Sequence, residues 1–326
     1  MTSRSLERLV PGGLISAKHK SRISVKMGAA ENTLYLSAAS ILLSVLTVAV
    51  NGYVVIGFVV KKQSAGLKHF SMLIVKMVFD SFFALATVVY STSVILQLQG
   101  IYLGTGVLYQ SGNVIQSLEA AMSILIVFVA ADRLCAMRKP LHYSRRYGAL
   151  IQKVAISVLC TTFTACFLAY AATRPASNSQ KGYVFTQLVN RLTQSIIHLS
   201  TVAVLVFGLL VTAIFVREFQ KFTRRRSTGQ MTSYNKSAKS ANRVVLYLMA
   251  IEFICLIVPN TLELVLRVFF DIRMGNFGPV IHPLFVLYIT ISSVMFLTST
   301  VSKAGSTPNS TVQAVQSTRW TGGGTS

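Results

Sequence analysis

Residues 32–60 read NTLYLSAASILLSVLTVAVNGYVVIGFVV, without a single charged side chain. An α-helix of roughly 20 apolar residues is long enough to cross the hydrocarbon core of a bilayer. Backbone amides cannot stay unpaired in lipid, and a helix pairs them within its own segment. The sequence therefore predicts a transmembrane helix over residues 32–60.

Six further apolar stretches meet the same length requirement, three without charges and three with isolated ionisable residues. The seven predicted spans are residues 32–60, 69–98, 112–131, 154–173, 192–216, 244–266 and 274–302. Most connections are short, so consecutive helices should run antiparallel. We predict an all-α membrane protein whose fold is a seven-transmembrane helix bundle. Its predicted divisions are an extracellular segment (1–31), the bundle (32–302) and a cytoplasmic tail (303–326).

The composition agrees with a membrane protein. Hydrophobic residues make up 52% of the chain and charged residues 12%, about half the charged share of soluble domains. The net charge of +22 comes from basic residues in short stretches between apolar runs. Such stretches determine membrane topology, so we expect contact with lipid and no binding of nucleic acid. The four cysteines lie within or at the ends of apolar segments, a pattern that predicts neither a disulfide framework nor a zinc site.

The distribution of basic residues predicts the orientation. They crowd the loops after spans one, three and five, whereas the alternate loops hold only five. Since the basic side of a membrane protein is usually cytoplasmic, we expect the C-terminus inside and the N-terminus outside, in the plasma membrane. The basic residues among the first 26 conflict with this orientation. One hypothesis is that translation starts at Met27.

The inner end of span three reads DRLCAMRKPLHY over residues 132–143. This stretch resembles the Asp-Arg-Tyr and Pro-Leu-x-Tyr signature of rhodopsin-like G-protein-coupled receptors. The resemblance implies that Arg133 contacts a heterotrimeric G protein and that Asp132 restrains it, with Pro140, Leu141 and Tyr143 completing the motif. An arginine beside a carboxylate suits this role because a charge-assisted pair holds it until the bundle opens. The alternative is a charge pair that only sets topology.

Weaker matches to the same family lie in other spans. Asn51 and Asp80 resemble its buried polar positions, and Ser292 and Ser293 stand where it has Asn-Pro-x-x-Tyr; with Lys76 we predict that these residues form an internal polar network. In span six Phe253 lies six residues before Pro259, the spacing of the family's helix-six switch. The proline removes one backbone hydrogen bond and gives the helix a bend point.

The chain also departs from the family. Ile257 replaces the span-six tryptophan. The cysteine at the outer end of span three is missing, and with it the disulfide bond that the family forms to the second outer loop. This divergence is similar to that of the nematode serpentine chemoreceptors.

Lys76 and Asp80 are four residues apart, and therefore neighbours on one helical face. A salt bridge between them would leave little affinity for the sodium ion that the family's aspartate often helps to hold. The other arrangement is that Lys76 extends toward the membrane interface.

Candidate ligand contacts occupy the outer halves of four spans: Glu119, His198, Glu263 and His282. Ile115 stands where amine receptors carry their aspartate, so binding of an amine in the usual manner is not expected. The extracellular ligand stays unknown, and a polar, basic ligand is the hypothesis. The alternative for each of these residues is an internal hydrogen-bond partner.

The sequence offers no nucleophile–base pair, metal cluster or phosphate loop, so we expect neither an enzyme nor a cofactor. We predict a G-protein-coupled receptor, chemosensory or sensing a peptide or small molecule, which accounts for the motif at the end of span three. The alternative is a secondary transporter that uses buried Lys76, Asp80, Glu119 and Glu252 as a relay. A membrane scaffold without signalling ranks third.

Overall fold

A computed structural model describes residues 12–60, 71–101, 104–138, 143, 147–174, 184–225, 243, 245–270 and 280–304. The helices are α1 (Gly12–Val60), α2 (Ser71–Leu98), α3 (Thr105–Arg138), α4 (Gly148–Ala172), α5 (Arg191–Arg225), α6 (the span Val245–Leu266 with its continuation to Phe270) and α7 (Ile281–Ala304). One 3₁₀ turn, Phe185–Gln187, lies between α4 and α5. The described residues contain no β-strand.

In the part of the chain that the structure describes, seven helices are long and apolar enough to cross a membrane, which confirms the predicted fold class. Several helices extend past the predicted spans, because hydropathy marks the hydrocarbon core and not the helix end. The third span runs over Gly106–Arg138, and α1 begins at Gly12 although its apolar part is Ala30–Gly57. The predicted start of span seven, at residue 274, lies outside the described residues.

Helix α3 is the most deeply buried of the seven spans, and α4 is the least buried. Helix α3 packs against α2, α4 and α5, while α1 packs against α2 and α7. Helix α3 therefore lies between α2, α4 and α5. The large apolar side chains exposed on α4 and α5, such as Leu150, Leu168 and Phe207, suit a lipid-facing surface.

Two apolar clusters divide the interior along the helix axes. One contains Phe83, Tyr90 and Phe185; the other contains Met72, Met77 and Phe215. Asp80 lies on α2 between these clusters, so a polar layer separates two apolar halves. We call the ends of the bundle the Arg133 end and the Phe185 end.

Helix α6 contains a π-helical turn, Phe253–Ile257, directly before Pro259. Proline has no N–H to give to the carbonyl four residues earlier, so the regular ladder is interrupted here. The Val258 N–H donates to the Phe253 carbonyl, five residues earlier, which is the π pattern. The bend point predicted at Pro259 therefore coincides with a local change of helix type.

Candidate functional site

Asp132, Arg133 and Tyr143 form a closed cluster at the end of α3, which we call the latch. Arg133 Nε donates to Asp132 Oδ2 at 3.0 Å, and Arg133 NH2 donates to the same oxygen. The Tyr143 hydroxyl donates to Asp132 Oδ1 at 2.7 Å and accepts from Arg133 NH2 at 3.3 Å. Both carboxylate oxygens and the phenol are thus engaged, and the three side chains restrain one another.

Burial makes the latch energetically significant. Arg133 is 1% exposed and Asp132 is fully buried. A buried ion pair repays its desolvation only if its geometry is good, and removal of one partner leaves the other charge uncompensated. The charge of Arg133 is therefore stable inside the protein only while Asp132 faces it. Movement of Arg133 away from Asp132 requires a new polar or aqueous environment for the guanidinium.

The ring of Tyr143 packs against Gly148, the first residue of α4. A Cβ atom added to Gly148 would lie 3.3 Å from Tyr143 Cζ, so the ring packs against a position without a side chain. Burial raises the pKa of the Tyr143 phenol, which keeps its proton for donation to Asp132. The other two motif residues, Pro140 and Leu141, lie outside the described residues.

A second ionic contact joins α3 to α5 close to the latch. Arg138 NH2 lies 3.3 Å from Glu218 Oε1, and Lys221 Nζ lies 3.4 Å from the same oxygen. Arg138 and Lys221 are about half exposed, and exposed pairs of this kind contribute little to stability. Arg138 thus differs from Arg133 mainly in exposure, which makes it a matched control residue.

Three residues of the predicted polar network, Lys76, Asp80 and Ser292, come together around the Lys76 ammonium. This ammonium lies 2.6 Å from Asp80 Oδ2, donates to Ser292 Oγ at 3.2 Å and stands 5.0 Å from the centre of the Tyr288 ring. Lys76 is 3% exposed. The salt bridge is therefore the arrangement that the protein adopts, and the alternative in which Lys76 reaches the membrane interface is wrong. Glu252 on α6 lies within Coulombic range of the same ammonium.

Asn51 and Ser293 lie on the helices beside Lys76 but bond elsewhere. Asn51 Nδ2 donates to the Met77 carbonyl at 3.1 Å, which ties α1 to α2, and Ser293 Oγ donates to the Ile289 carbonyl within α7. Thr47 and Thr290 add a hydroxyl–hydroxyl bond of 2.9 Å between α1 and α7. The polar layer thereby connects α1, α2 and α7.

Around the predicted helix-six switch, Phe253 and Pro259, helix α6 has an exposed side and a buried side. Phe253 is 42% exposed, so this residue lies at the surface of the bundle. Leu256 and Ile257 are buried in the cluster that contains Phe185. Ile257, the residue at the family's tryptophan position, is therefore the last buried apolar side chain before Pro259.

Only part of the predicted ligand set comes together. Glu119 on α3 and Glu263 on α6 lie within Coulombic range of each other, and Gln116 Nε2 donates to Glu119 Oε2 at 3.1 Å. His282 instead packs on α2, its ring centre 5.7 Å from that of Phe83 and 5.9 Å from that of Tyr90. His198 is half-buried on α5. The acidic pair is the part of the set that could hold a positively charged group.

In the part of the chain that the structure describes, no group of three or more His, Cys, Asp or Glu side chains lies close enough together to bind a metal ion. All four cysteines, Cys135, Cys160, Cys166 and Cys255, are free thiols.

Sequence reasoning missed the residues around Phe185. This side chain is buried between Tyr109 of α3 and Tyr170 of α4, and its backbone N–H donates to the Tyr90 hydroxyl at 3.1 Å. The phenylalanine follows a loop whose sequence shows no motif. The available signal was Gly112, the first residue of a predicted span, because a glycine permits close approach of another segment.

The described residues thus define a membrane protein of the seven-helix class, with a buried arginine–carboxylate latch at one end of α3. Residues 32–175 match the sequence profile of the family described as serpentine type 7TM GPCR chemoreceptor Srbc. The match covers α1 from residue 32 onward and all of α2 to α4, and it includes the whole latch. It confirms the resemblance to serpentine chemoreceptors that the sequence predicted. No curated protein shows significant similarity to the chain.

Proposed function

We propose that this protein is a chemosensory receptor that transmits ligand binding to a heterotrimeric G protein. In this proposal the Arg133 end faces the cytosol and the Phe185 end faces outward, in the plasma membrane. The basic loops that follow spans one, three and five support that orientation. The family match supports a chemosensory receptor and does not favour the transporter alternative.

The observation that carries the coupling proposal is the closed latch. Arg133 is buried in a hydrogen-bonded set of three side chains at the end of the most deeply buried helix. A buried guanidinium that only fixed topology would not need a third partner from beyond α3. Release from Asp132 and Tyr143 would give a G protein access to a planar, five-donor cation.

The structure also offers an element that could release the latch. Helix α6 interrupts its regular hydrogen bonding at Phe253–Ile257, and buried Leu256 and Ile257 connect this turn to the core. A ligand shifts the population of a two-state bundle only if it binds one state better than the other. A ligand that bridges Glu119 on α3 and Glu263 on α6 would stabilise one relative position of these two helices.

We infer that the ligand is polar and carries a positive charge. Glu119 and Glu263 are two carboxylates from different helices within Coulombic range. Two like charges within Coulombic range raise each other's free energy, and a nearby cation lowers it. A basic ligand would remove this repulsion. His282 and His198 belong to the same proposal as residues of α7 and α5 that shape the surroundings.

The test is a G-protein activation assay on the surface-expressed chain, with a chemical panel that contains amines and guanidines. The variants are Arg133→Ala and its matched control Arg138→Ala, at equal surface level. We expect Arg138→Ala to respond like the parent chain and Arg133→Ala to lose activation. A full response from Arg133→Ala would remove the coupling role of the latch.

A second pair of variants tests the ligand class separately. Glu119→Gln and Glu263→Gln keep the shape of each side chain and remove its charge. We expect both to weaken the response to an active cationic compound by tenfold or more, since a desolvated ion pair contributes on the order of 2 kcal/mol. Unchanged potency in both variants would exclude the acidic pair while leaving the latch proposal intact.

A further inference from the structure

The segment of residues 184–190, here called the anchor segment, folds onto the Phe185 end of the bundle. Val184, Phe185, Leu188 and Val189 are all buried in the same core cluster as residues of α2, α3 and α7. A connection between two membrane helices normally runs over the surface. This one contributes four side chains to the interior instead.

Phe185 enters a notch that exists because residue 112 has no side chain. A Cβ atom added to Gly112 would lie 2.4 Å from Phe185 Cβ, 2.5 Å from Cγ and 2.6 Å from Cδ2. Separations below about 3 Å are not tolerated between carbon atoms, whose optimal contact is 3.5–4.0 Å. Any residue larger than glycine at position 112 therefore displaces Phe185.

Aromatic side chains enclose the ring of Phe185 on two helices. Its centre lies 5.4 Å from that of Tyr109 and 5.3 Å from that of Tyr170, the latter edge-on. Both separations lie in the favourable range for aromatic pairs. The Tyr109 hydroxyl donates to the Tyr170 carbonyl, and the Arg174 guanidinium stands 4.7 Å from the centre of the Tyr109 ring. The walls of the notch are thus fixed to each other.

The anchored segment is also connected to α2 and α7. The Phe185 N–H donates to the Tyr90 hydroxyl, and the Tyr90 ring meets the His282 ring edge-on at 5.9 Å. On α3, Gly112, Gln116 and Glu119 follow the spacing of one helical face. The segment therefore lies on the side of α3 that carries Glu119, about two turns away.

We propose that Phe185, seated against Gly112, is a noncovalent anchor that fastens the second interhelical segment at this end to α3 and holds it over the Glu119 side of the bundle. No disulfide can do this, because all four cysteines are free. Phe185 acts as a positioning residue, and the anchor can open and re-form without redox chemistry. The proposal concerns the folded chain and stands independently of G-protein coupling.

The first test is a double-mutant cycle on the purified full-length chain in detergent, read as the midpoint of thermal unfolding. Gly112→Ala and Phe185→Gly should each lower the midpoint by roughly 5 °C or more. The matched control is Gly106→Ala in the same helix, where an added Cβ meets nothing within 4 Å. It should leave the midpoint unchanged or slightly raised, because alanine favours a helix.

The informative variant is the double one. In the Phe185→Gly background, Gly112→Ala should cost nothing further, since the atoms with which its Cβ collides are gone. Two falls that simply add, or a Gly112→Ala midpoint equal to that of Gly106→Ala, would overturn the proposal.

A cross-linking test covers the case in which the single variants do not fold. The pair Gly112→Cys and Phe185→Cys is combined with a protease site between Arg174 and Val184, and membranes are treated with a permeant oxidant so that orientation does not matter. The two Cβ positions need to separate by only about 1–2 Å to reach disulfide distance. We expect the two halves to stay joined on a non-reducing gel after cleavage. The control pair Gly106→Cys and Phe185→Cys should separate, and separation of the 112–185 pair would refute the anchor.

Discussion

Replacement of Lys76 by methionine should be strongly destabilising. The ammonium of Lys76 lies 2.6 Å from Asp80 Oδ2, and both side chains are almost completely buried. Among the described residues Asp80 Oδ1 has no hydrogen-bond partner, and Lys76 is the described cation that compensates this carboxylate. Removal of one partner of a buried ion pair typically costs 3–5 kcal/mol. We expect Lys76→Met to lower the free energy of unfolding by about 3–4 kcal/mol.

A double variant shows whether the uncompensated charge of Asp80 causes this loss of stability. In Lys76→Met/Asp80→Asn the uncompensated charge is removed as well, and most of the lost stability should return, because replacing both partners of a buried pair is often nearly neutral. The measurement is unfolding of the purified chain by a denaturing detergent. Lys153→Met, the same substitution at an exposed position, is the control. A loss below about 1 kcal/mol for Lys76→Met, or a double variant as unstable as the sum of the singles, would refute the reasoning.

Three further outcomes are expected. Tyr143→Phe removes the hydrogen bond to Asp132 and should raise ligand-independent G-protein activation of the surface-expressed chain; activation at or below the parent level would contradict the latch. Pro259→Ala restores a backbone donor in α6 and should slow amide hydrogen exchange across Phe253–Ile257, measured by mass spectrometry. Unchanged exchange would show that the proline does not cause the π turn. Thr47→Val breaks the 2.9 Å bond to Thr290 and should lower the free energy of unfolding in denaturing detergent by about 1 kcal/mol.

Features that depend on local spacing were predictable from the sequence. The seven spans follow from length and apolarity, because lipid imposes both on any crossing helix. The Lys76–Asp80 bridge follows from a separation of four residues on one helix, and the Asp132–Arg133 pair from adjacency. For Lys76 and Asp80 the helix itself brings the side chains together, because residues four apart share one face. Adjacent residues point in different directions on a helix, so the long arginine side chain has to turn back for Arg133 to reach Asp132.

Contacts between distant segments were not predictable in the same way. Phe185 and Gly112 are far apart in sequence, and nothing in either segment specifies which face of α3 meets which loop residue. Phe253 illustrates a different limit. Its spacing to Pro259 assumes regular helix, but the π turn contains extra backbone and changes the angular relation of residues on either side. The sequence match therefore located the bend, while the structure places Leu256 and Ile257 in the core.

The polar layer carries a consequence for how the bundle can move. One ammonium, that of Lys76 on α2, interacts with Asp80 on its own helix, with Ser292 on α7 and, at longer range, with Glu252 on α6. A free sodium ion could leave such a site during a conformational change, whereas a lysine side chain cannot, because it is covalently tethered. Any outward movement of α6 must therefore change the separation between Glu252 and a cation that stays on α2. Since Coulomb energies in a low-dielectric interior are large, the position of α6 and the charge distribution of this layer are physically coupled, and the coupling needs no bound ion.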